Sequence, residues 1–361
     1  MNVITLETLR RYAVARSLFA PTTLRRAIDA LGFVQADPIR APARAQDLTL
    51  RHRVRGYRAG ELERHYPELG IEETFFVNYG FLARERALLM QPRTPRRPWT
   101  KKSSARAKEL LAFVRERGSV HPREVDEHFA HGSERNYWGG SSAATTRLLE
   151  AMHFRGLLRV LRRERGVRVY TLEQPSVPVR DAKTRRARID SLIDLVVQTY
   201  APLPAASLSG LVSRLRFATP QWKAELPKGL ERAKQRLPSA RVEGVVWYWP
   251  ASEQPSSMRA SRPKVRLLAP FDPIVWDRRR FELFWGWAYR FEAYTPLGKR
   301  KLGYYALPLL WGESVVGWAN LTVRDGALVQ ELGFIARPTH AQFERELEAE
   351  LARIQAFLEP V

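Results

Sequence analysis

Gln35 and Asp37 are the residues whose types and spacing could do chemistry. They lie in the segment Phe33–Ile39, FVQADPI, at the end of an apolar stretch. Pro38 disfavours the helical region for Asp37 and pushes it toward extended backbone. Side chains at i and i+2 of an extended segment face the same way, so the amide and the carboxylate can converge on one point. A carboxylate can stabilise a cationic transition state or activate water, and an amide can position that water.

The same residues also fit an Asp-Pro turn that caps the following helix. Asp before Pro commonly initiates turns, and on residue types alone the turn is the more common explanation. A single carboxylate would suit a reaction whose leaving group is already activated. O-glycosidases generally use two carboxyl groups because the leaving oxygen needs a proton. A base alkylated at a ring nitrogen is already cationic and leaves without one.

The composition indicates a polyanionic partner. The 361 residues carry 60 Lys and Arg against 38 Asp and Glu, a formal charge of +22. This excess favours nucleic acid first and an anionic membrane surface second. The absence of cysteine excludes disulfides, thiolate metal sites and cysteine nucleophiles. No run of 18 apolar residues and no signal peptide is found, so we expect a cytoplasmic protein without a membrane-spanning helix.

Basic side chains cluster on predicted linkers, wings and helix starts. A charge run is often only a solvated face. Several clusters on wings and linkers nevertheless favour contacts with DNA phosphates. The predicted DNA contacts are Arg96, Arg97, Lys101, Lys102, Arg147, Arg162, Arg163, Arg165, Arg278, Lys299 and Arg300.

Other motifs argue against a metal or cofactor. His128 and His131 could lie one helical turn apart, but no third ligand is placed nearby. The chain has no P-loop, no G-x-G-x-x-G and no G-x-S-x-G. The segment Tyr137–Gly140, YWGG, could stack on a base or anchor the next helix. His52 follows the Gln35–Asp37 segment closely and is the histidine worth testing.

The pattern along the chain predicts several similar units. Two helices fill residues 5–32, broken near Pro21, and another covers 42–53. From 104 to 173 the order is helix, helix, helix, hairpin, with the hairpin turn at Arg165-Gly166. The order repeats from 181, with a third helix over 220–236 and a wing strand over 242–249. From 265 the pattern is strand-like, and 338–358 is a closing helix.

Helix–helix–helix–hairpin is the order of a winged helix, whose third helix enters the major groove while the wing touches the backbone. Residues 1–100 can hold a further, more elaborated copy. We therefore predict an α+β protein of tandem winged-helix domains at 1–100, 104–175 and 180–262. A β-rich C-terminal domain is predicted at 263–361.

Three segments together resemble the winged-helix DNA glycosylase family that unhooks interstrand crosslinks. Leu31–Ile39 looks like its Gln–apolar–Asp catalytic motif. Residues 137–158 contain the second segment, and the third and most specific spans Leu268–Arg278 with 289–308. The resemblance covers nearly the whole chain, in order.

The resemblance implies three tandem winged helices, a small C-terminal β-barrel, and hydrolysis of the N-glycosidic bond of N7-alkylated guanine, crosslinks included. Asp37 would be the carboxylate and Gln35 the amide that positions water. The enzymes are monofunctional, so neither a Lys Schiff base nor a metal is expected. The partner would be damaged double-stranded DNA. We expect a monomer that has no membrane partner.

The chain departs from that family at two places. Many members carry aromatic-Trp-x-His after the first winged helix, whereas Phe75–Phe81 here, FFVNYGF, has no histidine. Members often have Gly-Arg-x-Asp near the end of the barrel, where this chain has Gly317–Asn320, GWAN. The alternative function is a non-enzymatic winged-helix DNA-binding protein, such as a transcriptional regulator.

Overall fold

The computed structural model describes residues 3–95, 98–129, 132–135, 141–258 and 263–359. Its helices are α1 (Leu6–Ser17), α2 (Leu24–Leu31), α3 (Ala45–Leu50), α4 (Glu61–His65), α5 (Arg84–Leu88), α6 (Lys101–Arg117), α7 (Pro122–Phe129), α8 (Ala144–Phe154), α9 (Ala182–Tyr200), α10 (Ala205–Ala218), α11 (Leu226–Arg236), α12 (Pro273–Trp276), α13 (Arg278–Trp285) and α14 (Ala341–Leu358). Its strands are β1 (Val34–Gln35), β2 (Ile71–Phe75), β3 (Tyr79–Ala83), β4 (Ser119–Val120), β5 (Ser133–Arg135), β6 (Ser141–Ala143), β7 (Leu158–Glu164), β8 (Val167–Leu172), β9 (Leu203–Pro204), β10 (Ser239–Val242), β11 (Val245–Tyr248), β12 (Val265–Leu267), β13 (Leu307–Trp311), β14 (Ser314–Arg324) and β15 (Ala327–Phe334). No described helix is both long enough and apolar enough to cross a membrane.

The chain forms two compact units, each built from separate stretches of sequence. Unit 1 contains Met1–Glu61, Ile193–Val212 and Leu230–Val361, and unit 2 contains Leu62–Leu192 and Ser213–Gly229. The boundaries fall inside α4, α9, α10 and α11. The partition into four consecutive domains stays a prediction.

Unit 2 contains the predicted order of helix, helix, helix and hairpin. Helices α6, α7 and α8 precede the hairpin β7–β8, and the short strand β4 pairs with β8. The predicted hairpin turn is confirmed, because Arg165 and Gly166 have φ values of 50° and 86° between the two strands. Two consecutive left-handed residues match the twist of a tight hairpin. The number of winged helices in the whole chain stays a prediction.

Unit 1 ends in an antiparallel sheet of order β12-β13-β14-β15, followed by α14. Strands β12 and β15 are not paired with each other, so the sheet is open among the described residues. The small closed barrel that the resemblance implied is therefore not found there. The predicted break between α1 and α2 near Pro21 is confirmed.

Two predictions for the third repeat and the C-terminal region are wrong. The sequence predicted one strand over 242–249. Instead, Glu243 and Gly244 turn the chain, with φ values of 48° and 77°, and β11 after the turn pairs with β10 before it as a hairpin. The region after residue 265 also contains α12 and α13. Each of these helices has an aspartate N-cap, Asp272 and Asp277, whose side chain accepts a backbone N–H of the first turn.

Two helices are shorter than predicted. The helix expected over 42–53 covers only Ala45–Leu50, and the Arg53 side chain bonds to the Thr49 carbonyl near its end. The helix expected over 220–236 is divided into a 3₁₀ turn, Pro220–Trp222, and α11. Pro227 occupies the first turn of α11, where its missing N–H is tolerated.

The core of unit 1 surrounds a buried ion pair. Arg53 and Asp272 are both fully buried and bond through two contacts, of 2.8 and 3.0 Å. Arg53 also donates to the Ser17 and Thr49 carbonyls at 2.7 and 2.6 Å. The hydrogen bonds offset the large desolvation penalty of the two charges. The pair thereby fixes the end of α1 and the segment after α3 to the N-terminus of α12.

Unit 2 contains a buried carboxylate between two arginines. Glu73 of β2 is fully buried and pairs with Arg163 and Arg168 of the β7–β8 hairpin. Burial alone would raise its pKa. The hydrogen bond from Arg163 and the charges of Arg168 and Arg163 outweigh burial and lower the pKa of Glu73 to about 2.

We expect Asp272→Ala to lower the free energy of unfolding by about 3–5 kcal/mol, because it leaves Arg53 charged and unpaired in the core. Urea denaturation monitored by circular dichroism measures the change. The control is Glu348→Ala, which removes an exposed carboxylate from α14 in the same unit. It should change stability by less than about 0.5 kcal/mol. Equal effects of the two variants would contradict a structural role for the pair.

We expect the stability difference between wild type and Glu73→Gln to depend on pH. The folded-state pKa is lowered, so the contribution of Glu73 is fully present above its ordinary pKa and is lost as pH falls to about 2. Unfolding free energies measured from pH 7 to pH 2 check this. The control is Glu109→Gln, at an exposed position of α6. The difference in unfolding free energy between wild type and this control should not change in the same way as the pH falls. A pH-independent difference for Glu73→Gln would refute the assignment.

Candidate active site

Gln35 and Asp37 follow the tight end of α2. Gly32 ends that helix with φ of 80°, a value that favours glycine. Gln35 lies in strand β1, which follows. The residue Gln35 is 6% exposed and Asp37 is 9% exposed. The backbone N–H of Asp37 donates to Gln46 of α3 at 3.3 Å. Two polar side chains are thus buried two residues apart, and their convergence on one point stays a prediction.

One oxygen of the Asp37 carboxylate accepts a hydrogen bond from the described residues, and the other, called the open oxygen below, accepts none. Its Oδ1 accepts the backbone N–H of Ile39 at 2.9 Å, so the Asp-Pro turn is formed as well. Among the described residues, Oδ2 has no hydrogen-bond partner. Burial raises the pKa of Asp37, and the Ile39 hydrogen bond opposes this only in part. The turn and a chemical role are therefore compatible, because the turn uses only one of the two oxygens.

The Gln35 amide has an unused acceptor. Its Oε1 is buried and has no hydrogen-bond partner in the described part of the chain. A buried polar atom without a partner is costly, typically by about 1–3 kcal/mol. Such atoms in a native structure call for an explanation, and one explanation is a missing ligand or water. Gln35 Oε1 can accept a hydrogen bond that no described residue supplies.

Two tyrosines near Asp37 were not predicted from the sequence. Burial raises the pKa of Tyr305, and the charge of Asp37 raises it further. Tyr294, mostly exposed, experiences the same two effects. The Tyr305 hydroxyl is buried and lacks a hydrogen-bond partner among the described residues. Both tyrosines belong to the third segment of the family resemblance, but nothing in their spacing assigned them to Asp37.

A cavity of about 530 Å³ adjoins this region of unit 1. Tyr304, Tyr305 and Arg300 line it, together with Asn320. Asn320 stands where members of the family that the sequence resembles often have Asp, and its Nδ2 donates to the Leu302 carbonyl at 2.7 Å. Its Oδ1 is buried and unpartnered within the described residues. The cavity wall thus contains an aromatic face, a cation and an unused amide acceptor.

Several predicted DNA contacts are exposed. Lys101 and Lys102 begin α6, Arg147 lies on α8, and Arg165 is at the hairpin tip, all in unit 2. Lys299 is exposed in unit 1, and Arg300 beside it donates to the Thr295 carbonyl at 2.7 Å. Arg96, Arg97, His131 and the segment Tyr137–Gly140 lie outside the described residues.

Other predicted contacts already have intramolecular partners. Arg163 bonds to buried Glu73, and Arg162 bonds to Glu164 at 2.8 Å. Arg278 donates to the Val275 and Pro270 carbonyls at 2.8 and 3.1 Å, and it lies over the ring of Tyr289. Burial lowers the pKa of Arg278. A DNA contact by these three residues stays a prediction, and we do not carry it into the proposal below.

His52 has a structural environment. Its Nε2 is 2.9 Å from the Leu267 carbonyl. Burial and the charges of Arg51 and Arg53 keep its pKa well below the ordinary range. The ring is therefore neutral and donates to that carbonyl, which fixes the tautomer.

The arrangement suits attack by water on a cationic substrate. A carboxylate with a raised pKa is a stronger base than an ordinary aspartate and attracts a developing positive charge. An amide acceptor next to it can orient a water molecule. The site offers no second carboxyl group among the residues named here to protonate a leaving group.

We expect Asp37→Asn to stabilise the protein at pH 8. The folded-state pKa of Asp37 is raised, so its ionisation opposes folding above that pKa, whereas Asn keeps an acceptor for the Ile39 N–H. Thermal unfolding at pH 8 and pH 3.5 measures the effect. The gain should vanish at the lower pH, where the carboxyl group is protonated in both states. Loss of stability at pH 8 would show that the carboxylate is structural.

Comparison with known proteins agrees with this chemistry. The family model described as DNA glycosylase AlkZ-like matches residues 28–357. The DNA glycosylase AlkZ of Streptomyces sahachiroi has a similar structure, with a TM-score of 0.60 at 16% sequence identity. The match covers 99% of this chain and 97% of that one, and at this identity it establishes the fold alone. The family match covers most of the chain and includes Gln35 and Asp37. The chain therefore belongs to the AlkZ-like family of DNA glycosylases, hydrolases that act on N-glycosyl bonds.

Proposed function

We propose that this glycosylase hydrolyses the N-glycosidic bond of N7-alkylated guanine in double-stranded DNA, including guanine in interstrand crosslinks. Asp37 is the catalytic carboxylate and Gln35 positions the attacking water. The enzyme acts as a monomer in the cytoplasm. The observation that carries the proposal is the buried, unpartnered Oε1 of Gln35 two residues from a carboxylate with an open oxygen.

The reaction needs no acid to release the base. Alkylation at N7 makes the guanine cationic, so the electron pair of the C1′–N9 bond neutralises it as the bond breaks. The open oxygen of Asp37 stabilises the positive charge that develops on the sugar. Water, held by Gln35 Oε1, forms the new bond to C1′ and transfers its proton to Asp37. Burial of Asp37 favours this transfer because it raises the pKa of the carboxyl group.

The neighbouring cavity supplies further contacts to the substrate. Tyr304 and Tyr305 offer ring faces on which a base or its alkyl substituent can stack. Lys299 and Arg300 provide positive charge for the phosphates beside the lesion. The hydrogen bond from Asn320 Nδ2 to the Leu302 carbonyl fixes the orientation of the amide. Asn320 Oδ1 is therefore left to accept a hydrogen bond from an N–H on the guanine edge.

Exposed cations of unit 2 are further candidates for contacts to DNA phosphates. Lys101, Lys102, Arg147 and Arg165 are the predicted phosphate contacts whose side chains are exposed. Phosphate contacts fix the position of a protein on DNA without reading sequence, which suits an enzyme that must find lesions in any sequence. The family match favours this enzyme over a non-enzymatic regulator.

We expect Asp37→Asn to lower the rate of N7-methylguanine release by about 10²-fold or more, because a transition-state interaction is lost. Gln35→Ala should lower it by about 10²-fold through misplaced water. Single-turnover release from alkylated duplex and from a nitrogen-mustard crosslink measures the rates. Duplex affinity should change little, since the lost interactions belong to the transition state.

The matched control is Asp325→Asn. Asp325 is an exposed turn residue of unit 1 with φ of 50°, a conformation that Asn also adopts readily. This variant should release N7-methylguanine at the wild-type rate. If wild type binds the alkylated duplex but releases no base, the proposed substrate is wrong. If Asp37→Asn matches the control, the assigned carboxylate is wrong.

A further inference from the structure

A second cavity, of about 620 Å³, lies in unit 1 beside strand β12. Apolar side chains such as Tyr57 and Phe357 form part of its wall, and their rings stack at 6.3 Å. Its charged lining, among the described residues, is five cations and one carboxylate. They are Arg51, Arg58, Lys264, Arg266, Arg353 and Glu350. Such an imbalance attracts anions.

Part of this charge protects the free edge of the sheet. Glu350 accepts the Leu267 N–H at 2.9 Å, and Arg51 donates to the Leu267 carbonyl at 2.9 Å. Arg353 reaches the Val265 carbonyl at 3.3 Å. Arg51 and Arg353 also pair with Glu350, at 2.5 and 3.1 Å. These three side chains occupy hydrogen-bonding groups that an edge strand would otherwise expose. The edge therefore explains Arg51, Arg353 and Glu350.

The edge does not explain Arg266. Val265 and Leu267 are fully buried, so strand alternation turns the Arg266 side chain to the opposite face. Arg266 has no hydrogen bond or ion pair to any described residue, and its Nη1 is buried. Burial lowers its pKa, and the charges of Arg53 and Arg353 lower it further against the opposing effects of the carboxylates of Glu350 and Glu346. A partly buried guanidinium with unused donors is costly unless something outside the chain pairs with it.

Two neighbouring side chains also have donor groups that the described residues leave unused. The Arg51 side chain is 4% exposed, and its Nε has no partner in the described part of the protein. Lys264, two residues before Arg266, is exposed and makes no ion pair with a described residue. Guanidinium and ammonium groups together match the oxygens of a phosphate group, through directed bonds and through charge.

We propose that the cavity beside β12 binds a phosphate group, with Arg266 as its main ligand and Lys264 as a second. The phosphate comes either from the DNA backbone or from a free phosphate or nucleotide. The site is separate from the Gln35–Asp37 pair in its residues, and it does not depend on the catalytic assignment. The negative charge of Glu350 repels such an anion only weakly, because Glu350 is already paired with Arg51 and Arg353.

The first experiment measures binding of inorganic phosphate to the full-length protein by isothermal titration calorimetry, with chloride at equal ionic strength as the reference. Wild type should bind phosphate, and Arg266→Gln should weaken binding by about tenfold or more. Arg266→Lys should keep part of the affinity. Arg324→Gln, which removes an exposed arginine at the end of β14, should bind as wild type does. Arg266→Gln should fold, since its guanidinium makes no internal hydrogen bond.

The second experiment measures affinity for undamaged duplex DNA as a function of salt. If the cavity holds a backbone phosphate, Arg266→Gln should bind duplex more weakly, with a salt slope reduced by about 1, and free phosphate should compete. If the ligand is a free phosphate, duplex binding stays unchanged while the calorimetric binding is lost. The proposal is overturned if Arg266→Gln binds phosphate as tightly as wild type does. It is also overturned if Arg266→Gln and Arg324→Gln have the same phosphate affinity and the same duplex affinity.

Discussion

The buried pair of Arg53 and Asp272 is the interaction on which unit 1 depends. It links two segments that are 219 residues apart in the chain. Both charges have lost their water, and the Ser17 and Thr49 carbonyls complete the donors of Arg53. Such a pair tolerates little displacement, because a partner that moves away leaves an unpaired buried charge. It therefore holds the N-terminal segment with Gln35 and Asp37 against the C-terminal segment with Tyr305.

Buried polar side chains differ in how completely the fold satisfies their hydrogen bonds. Arg93, deeply buried in unit 2, donates to the Phe75 carbonyl at 2.6 Å, the Ala218 carbonyl at 2.7 Å and the Thr74 hydroxyl at 2.9 Å. Gln35 Oε1 and the Tyr305 hydroxyl, in unit 1, are equally buried yet unused. An unused buried group beside Asp37 is therefore a candidate for bonding by another molecule.

The positive charge of the chain is less available to DNA than its total suggests. Arg163 and Arg168 neutralise Glu73, while Arg84 and Arg159 pair with Glu72. Arg51 and Arg353 do the same for Glu350 at the edge of β12. Arginine suits these sites because its planar fork bonds to two acceptors at once and keeps its charge when buried. The exposed cations, and Arg266 with no hydrogen-bond partner in the described part of the chain, are therefore the better candidates for binding phosphate.

The sequence by itself determined the local features. The proline after Asp37 and the i, i+2 spacing singled out Gln35 and Asp37, and Arg165-Gly166 predicted a hairpin turn, because both features depend on backbone preferences of adjacent residues. The helices α12 and α13 were missed because their aspartate caps are embedded in an aromatic, strand-like segment. Only the tertiary structure decided that Tyr305 lies near Asp37, that Arg163 pairs with Glu73, and that Arg266 has no hydrogen-bond or ion-pair partner among the residues that the structure describes. Those facts depend on contacts between residues distant in the chain, and no local pattern encodes which of many arginines will meet a carboxylate.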